Sequence, residues 1–271
     1  MSHLSQERPI TSQANIEWIS DVPGEPFVDG WFEVGSADHF WFRWRFRALQ
    51  GLIQSLGLPT DQPLRVLDIG GGHGVLRAQI ESVTAWTVDV VDLDRAALAR
   101  CAPGRGRILF YDILEQRSEL SESYDILLMM DVLEHIETTG PFLQAAAAHL
   151  RPGGTLLLNV PALRACMSIY DRAAGHFRRY QKDSMSQEFQ GPGFELLEQR
   201  YWGVSLVPAV LARKAILDFR DREADAIEEG FPEPHWIADR LLRALLSCET
   251  TLLKRPPIGA SLLAGVRYKS S

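Results

Sequence analysis

Residues 66–76 read VLDIGGGHGVL. An apolar run ends in glycines, and VLRAQIESV (75–83) then takes up helical spacing. LRVLDIG (64–70) therefore reads as a buried parallel strand that turns into a helix through a glycine loop. Gly70, Gly72 and Gly74 fall at alternate positions of that loop. Glycine at such places lets the backbone come close to a ligand and tolerates positive φ. A tight strand–helix turn with no ligand is the plainer alternative. A dinucleotide is not indicated, because a G-x-G-x-x-G/A fingerprint begun at Gly70 ends on Val75 and one begun at Gly72 ends on Arg77. No Gly-Lys-Ser/Thr follows, so a phosphate-binding P-loop fails too. Asp68, two residues ahead of Gly70, would repel a pyrophosphate and favours a ligand with a positive end.

Working outward, strands and helices alternate. TAWTVDVVD (84–92), GRILFYDI (106–113), YDILLMMD (124–131) and TLLLNVPA (155–162) read as further strands. RAALARCA (95–102) and PFLQAAAAHL (141–150) read as helices, the second with Pro141 in its first turn, where a missing N–H costs nothing. This rhythm predicts a parallel sheet with helices on both faces. FELLEQRYWG (194–203) and SLLAGVRYK (261–269) read as two last strands, with a mostly helical stretch at 204–255 broken at FPEPH (231–235). The expected organisation is a flexible lead-in (1–30), an N-terminal helical roof (31–63), a core (64–203), a helical insertion (204–255) and the final strand of the core (256–271).

Each early strand closes on an aspartate: Asp92 on the second, Asp112 on the third, Asp131 on the fourth. One strand-end Asp is ordinarily a helix cap. Four carboxylates, counting Asp68, at the ends of adjacent parallel strands face one crevice. Asp92 can accept hydrogen bonds from both hydroxyls of a ribose, and Asp112 can accept from an exocyclic amine such as adenine N6.

VLDIGGGHG, VVDLD, FYDI, MMDVLEHI and LRPGGTLLLNVPA together resemble the class I S-adenosylmethionine-dependent methyltransferases. The resemblance implies a Rossmann-like α/β fold, a seven-stranded sheet with an antiparallel last strand. It also implies S-adenosylmethionine as cofactor and S-adenosylhomocysteine as product. Carried over by position, Gly70, Gly72 and Gly74 hold the methionine part of the cofactor and Asp68 lies near its amino group. Asp92 binds the ribose with Leu93 against the adenine, Asp112 and Ile113 contact the adenine, and Asp131 borders the sulfonium. His73 departs from the small residue or threonine common at that place, and its side chain is expected to point outward.

HFWFRWRFR (39–47) alternates as a strand would, but it continues into ALQGLIQSLGL. On a helix, Trp41, Phe42, Trp44, Phe46, Ala48, Leu49, Leu52, Ile53 and Leu56 share one broad face, and Arg43, Arg47, Gln50 and Gln54 the other. The helix explains the longer stretch and roofs the site. Arg45 falls inside the apolar face. It either snorkels or pairs with a buried acid, or it reaches a substrate or cofactor carboxylate. YDRAAGHFRRYQKDSM (170–185) follows the fifth strand at the crevice mouth and is either a solvated basic loop or an anion-binding one. An HFWF…R segment and a GH-x-RRY segment also occur in a bacterial branch of the resembling family. His39, Trp41, Arg45, Arg178, Arg179 and Tyr180 are the substrate-side candidates. His135 and His176 are the candidate bases, with His39 and Tyr180 behind them, and methyl transfer also proceeds without a side-chain base.

The chain has 271 residues and a formal net charge of −7, which argues against a whole-surface nucleic-acid binder. Cys101, Cys166 and Cys248 form no C-x-x-C pair, and no metal site is expected. No apolar leader or membrane-spanning stretch is visible, so a cytoplasmic protein without stable membrane insertion is expected. The favoured function is methyl transfer to an oxygen, nitrogen or carbon of a small molecule bearing an acidic group. A protein or RNA methyltransferase and a non-catalytic cofactor-binding partner are the alternatives. Residues 204–255 offer a possible homodimer contact.

Overall fold

Alternating apolar runs assemble into an eight-stranded sheet in the computed structural model, which describes residues 15–25, 39–191, 193–220, 236–253 and 255–269. In chain order the elements are β1 (Ile16–Trp18), α1 (Phe40–Ser55), β2 (Arg65–Ile69), α2 (Val75–Val83), β3 (Thr87–Asp92), α3 (Arg95–Ala99) and β4 (Ile108–Phe110). There follow β5 (Tyr124–Met130), α4 (Thr139–Ala147), β6 (Leu150–Pro161), α5 (Ile169–Ala173), α6 (Lys182–Glu188), β7 (Phe194–Trp202), α7 (Val207–Arg220), α8 (Trp236–Leu252) and β8 (Ser261–Tyr268). The strand order is β1-β4-β3-β2-β5-β6-β8-β7, and β8 alone runs antiparallel, to both β6 and β7.

Successive strand residues point to opposite faces, and here both faces are covered, which is why the strands read as unbroken apolar runs. Leu67, Ile69, Leu127, Met129, Leu156 and Leu158 pack with Leu143 and Ala146 of α4 and Met185 of α6. Val66, Ile126, Leu128 and Leu157 pack on the other face with Trp44, Leu49 and Leu52 of α1 and Ile80 of α2. The helix expected from HFWFRWRFR is thus present. Its buried side is Phe40, Phe42, Trp44, Arg45, Ala48, Leu49, Leu52 and Ile53, with Arg43 and Arg47 exposed.

Two expectations are revised. The sheet has an eighth strand, and it comes from the stretch read as a flexible lead-in. Ile16, Glu17 and Trp18 pair in parallel with Ile108, Leu109 and Phe110, so β1 covers the edge that β4 would otherwise expose. Beyond it the Ser20 hydroxyl accepts the backbone N–H of Asp112 at 2.9 Å. The remainder of the lead-in (1–14 and 26–30), residues 31–38 of the roof and the FPEPH break (231–235) lie outside the described residues. Within 204–255, α7 and α8 leave Leu211, Ile216, Leu241 and Leu245 exposed. Among the described residues no helix is long and apolar enough to cross a membrane.

Strand order reverses between β2 and β5, since β3 and β4 are laid down on one side of β2 and β5 and β6 on the other; β2 and β5 themselves pair in parallel from Val66↔Ile126 to Ile69↔Met129. Such a reversal opens a crevice at the carboxyl ends of the strands. The glycine loop, Asp92 and Asp131 all emerge there.

Candidate active site

A cavity of about 700 Å³ occupies this crevice. Its floor is the glycine loop. Gly70, Gly72 and Gly74 have φ of +68°, +54° and +77°, a region that costs other residues energy. Gly70 and Gly72 line the cavity, as does Gly71, where an added Cβ would sit 2.8 Å from the Asp68 carboxylate. Gly74 does not face it. It caps the start of α2, and a Cβ there would come against the Cys101 sulfur, so this glycine shapes the loop from beneath. His73 does not point away either. It lines the cavity and meets Phe42 edge-on at 6.4 Å between centroids.

Asp68 is 1% exposed, and its Oδ2 has no hydrogen-bond partner. Burial raises its pKa to about 7, against the opposing pull of Arg45 and with the help of the Asp92 charge. A cationic group placed beside this carboxylate would favour its charged form. The Asp92 carboxylate accepts the backbone N–H groups of Gly72 and Asp94, both at 2.8 Å, which fixes its orientation at the end of β3. Burial raises its pKa in spite of those bonds. Leu93, Asp112 and Ile113 continue the same wall, with Asp112 also capping the next turn through the N–H of Leu114.

Asp131 sits at φ +64° just past β5 and closes a polar network. It accepts from Arg45 Nη1 at 2.8 Å and from the Asn159 amide, whose oxygen accepts the Trp202 indole N–H at 2.8 Å. Only one orientation of the Asn159 amide satisfies both partners. Trp202 in turn packs on Trp41, with centroids 4.9 Å apart. Arg45 pairs with an acid, as one of the two sequence readings has it, but that acid is the half-buried Asp131 on the cavity wall.

On the opposite side, His135 and His176 meet edge to face at 4.6 Å. His176 Nδ1 lies 3.2 Å from Asp171 Oδ1. Asp171 is fully buried. Burial pushes its pKa up, but hydrogen bonds from His176 and the Arg179 guanidinium hold it well below the usual carboxylate range. Burial and the neighbouring His176 lower the pKa of His135 to about 4, so its ring is neutral at physiological pH. Glu134, 1% exposed, is pushed well up by burial and by Asp131, with Arg179 and Arg45 opposing.

Three substrate-side candidates lie elsewhere. His39 caps α1 by accepting the Trp41 N–H and does not line the cavity. Arg178 donates to the Glu137 carbonyl, and Tyr180 is buried with its hydroxyl on Glu188 at 3.4 Å. Both border a separate hollow of about 310 Å³. Arg179 lines both spaces, and its guanidinium is committed to Asp171 and the Ala162 carbonyl.

Residues 41–199 match the methyltransferase domain family, more than half of the chain. The chain belongs to this family. The family is one of S-adenosylmethionine-dependent methyltransferases. Among curated relatives, the ubiquinone biosynthesis O-methyltransferase of Bradyrhizobium sp. (strain ORS 278) is 34% identical over 102 residues, 35% of this chain and 39% of the relative. The chain thus spans about two-fifths of the length of the curated relatives it matches. The methyltransferase held in a complex with the Haloferax volcanii Trm112 activator has a TM-score of 0.60 at 15% identity, covering 91% of this chain and 99% of that one. Haemonchus contortus phosphoethanolamine N-methyltransferase 2, solved with S-adenosyl-L-methionine, has a TM-score of 0.56 at 19% identity, covering 90% and 56%. These two likenesses show the fold.

Several residues of this methyltransferase site escape sequence reasoning. Glu134 lies inside the quoted MMDVLEHI and Asp171 inside YDRAAGHFRRY, but neither carries a local mark of its role. Asn159 reads as one polar residue in an apolar strand, which is the one usable signal. Arg213 and Lys214 of α7 also reach the cavity, Arg213 over the Tyr170 ring at 4.1 Å and Lys214 on the Met167 carbonyl at 2.6 Å.

Proposed function

We propose that this chain methylates an oxygen of a small molecule that carries an acidic group. The donor, when bound, supplies a methyl already activated on a sulfonium, so the protein's work is to position, to exclude water and to handle one proton. The residues present fit that donor. The Asp68 carboxylate, whose Oδ2 has no partner, suits its amino group, the loop at Gly70–Gly72 leaves room for its chain, Asp92 suits a ribose, and Leu93, Asp112 and Ile113 suit an adenine. Asp131, held by Arg45 and Asn159, borders the reacting centre.

The acceptor's place follows from what remains. One observation carries the reading: away from the glycine loop the cavity wall includes the cations Arg213 and Lys214, the aromatic rings of Trp41 and Tyr170 and the Glu134–His135–His176 cluster, with Arg213 lying over the Tyr170 ring. Cations suit an acidic group, aromatic walls suit an apolar body, and the cluster is where an acceptor's proton leaves. The O-methyltransferase relatives support oxygen as the acceptor atom.

The test is an acceptor screen. The full chain is incubated with S-adenosylmethionine and a panel of phenolic and aliphatic hydroxy acids, amines, RNA and cell protein, and S-adenosylhomocysteine release is followed by mass spectrometry. The reading expects turnover with hydroxy acids. Turnover confined to RNA or protein refutes it.

A further inference from the structure

We infer that Glu134, His135 and His176 form a binding site for a divalent transition-metal cation of the zinc type, open toward the acceptor end of the cavity. One donor atom from each of the three lies within 4.8 Å of the others. Zinc–ligand bonds of 2.0–2.2 Å in a tetrahedral site place donor atoms roughly 3.4 Å apart, so the site closes onto an ion with shifts of about 1 Å. Two imidazoles and one carboxylate suit zinc and its first-row neighbours, whereas magnesium and calcium prefer oxygen ligands throughout.

Two further features point the same way. An imidazole that binds a metal characteristically gives its other nitrogen to a carboxylate or a backbone carbonyl, which fixes the ring and raises its basicity. Both rings here have such an anchor. His176 Nδ1 meets the buried Asp171 at 3.2 Å, and His135 hydrogen-bonds the backbone of Gly175. Asp171 is itself held by Arg179 and by the backbone N–H and hydroxyl of Ser168, so the anchor is rigid. Separately, Glu134 is 1% exposed, lines the cavity and has an Oε2 with no hydrogen-bond partner. A buried carboxylate oxygen without a partner is costly, and a cation at the cluster satisfies it. The cations nearest by charge, Arg45 and Arg179, are engaged on Asp131 and Asp171.

Three protein ligands leave a coordination position open, the arrangement of catalytic rather than structural zinc. The inference deepens the methyl-transfer reading and rests on it for its role. The acceptor oxygen takes the open position, where the cation lowers the pKa of its hydroxyl so that the proton passes to solvent at neutral pH. The acceptor oxygen then bonds the methyl carbon as the sulfur–methyl bond breaks, its electron pair returning to sulfur. His135 and His176 are ligands in this account, not bases.

The experiment uses the full chain, stripped with a chelator. Zn²⁺ is titrated against a chromophoric competitor, and Co²⁺ is added separately to record visible absorption. S-adenosylhomocysteine binding is measured in parallel by calorimetry, and folding of each variant by circular dichroism. The expected result is one Zn²⁺ per chain and a Co²⁺ spectrum with nitrogen and oxygen ligation. Glu134→Gln, His135→Gln and His176→Gln should each abolish the Co²⁺ spectrum, and Asp171→Asn should weaken Zn²⁺ binding about tenfold. No stoichiometric uptake, or uptake unchanged by all three ligand substitutions, overturns the site. S-adenosylhomocysteine binding without Zn²⁺ uptake would remove the metal and leave the methyltransferase reading standing. Zn²⁺ uptake without it would do the reverse.

Discussion

The proposed seat of the cofactor's amino group beside Asp68 makes cofactor affinity depend on pH in a definite direction. In the ligand-free protein its carboxyl titrates at about 7, because burial penalises its charged form. A cationic amino group beside it favours that charged form. Binding therefore needs Asp68 ionised, and affinity rises with pH through about 7. With that pKa the ionised fraction is about one in eleven at pH 6 and one half at pH 7, so affinity for S-adenosylhomocysteine should be about fivefold tighter at pH 7 than at pH 6. The ligand's own α-amino group, beside its free carboxylate, titrates above that interval and stays protonated across it. Calorimetric titrations at closely spaced pH values measure the slope. Asp68→Asn keeps the shape but not the charge, so it should flatten the profile and weaken binding at pH 7.5 by about 2 kcal/mol, roughly thirtyfold. Stability has the opposite sign. Because the folded pKa lies above the unfolded value, Asp68 destabilises the ligand-free fold increasingly as pH rises from about 4 to about 7. The ligand-free Asp68→Asn protein should accordingly melt above wild type at pH 8, with the gap closing toward pH 4. A wild-type affinity that is flat from pH 6 to pH 7, or an equal slope in Asp68→Asn, refutes the placement of the cofactor's positive end.

Other substitutions separate binding from scaffolding. Asp92→Ala should weaken cofactor binding severely, whereas Arg179→Ala should spare it, impair turnover and cost about 3 kcal/mol of stability because Asp171 loses its buried partner; calorimetry and denaturant melts distinguish the two. Gly74→Ala should destabilise by about 2–4 kcal/mol through its positive φ and its collision with Cys101. In a Cys101→Ala background the collision part should vanish and about 1 kcal/mol should remain, read from urea melts. Arg45→Met and Asp131→Asn, made singly and together, should show a coupling energy of about 1–3 kcal/mol in thermal denaturation; additive effects would mean that the roof does not depend on this pair.

The parts of the molecule legible from sequence are those governed by local periodicity. Strands buried on both faces show as apolar runs, and the glycine loop and strand-end aspartates mark the crevice because backbone direction places them there whatever the side chains do. β1 escaped notice because three residues carry no periodicity and Trp18 is 56% exposed, so that strand exists through its pairing with β4. Arg178 and Arg179 look equivalent in a list. In extended chain, however, successive side chains point opposite ways, and one turns to Glu137 and Glu188 while the other turns to Asp171 and the cavity. The acceptor side is legible only in part: His135 and His176 stand out in the sequence, but their contact with each other and the approach of Arg213 and Lys214 form across chain segments.

Arg45 shows how such a meeting explains an apparent flaw. Judged along α1 alone, it is a charge set among aromatic residues. Its guanidinium reaches Asp131 past β5, Asp131 holds Asn159 on β6, Asn159 holds Trp202 at the end of β7, and Trp202 packs back on Trp41 of the same helix. The roof is therefore tied to three strand ends by a closed circuit that starts and finishes on α1. An apolar helix face packed on a sheet can slide with little penalty, whereas hydrogen bonds to buried groups fix one position. The misplaced arginine is what sets the roof's register over the cavity, and the strained backbone at Asp131 is where that register is held.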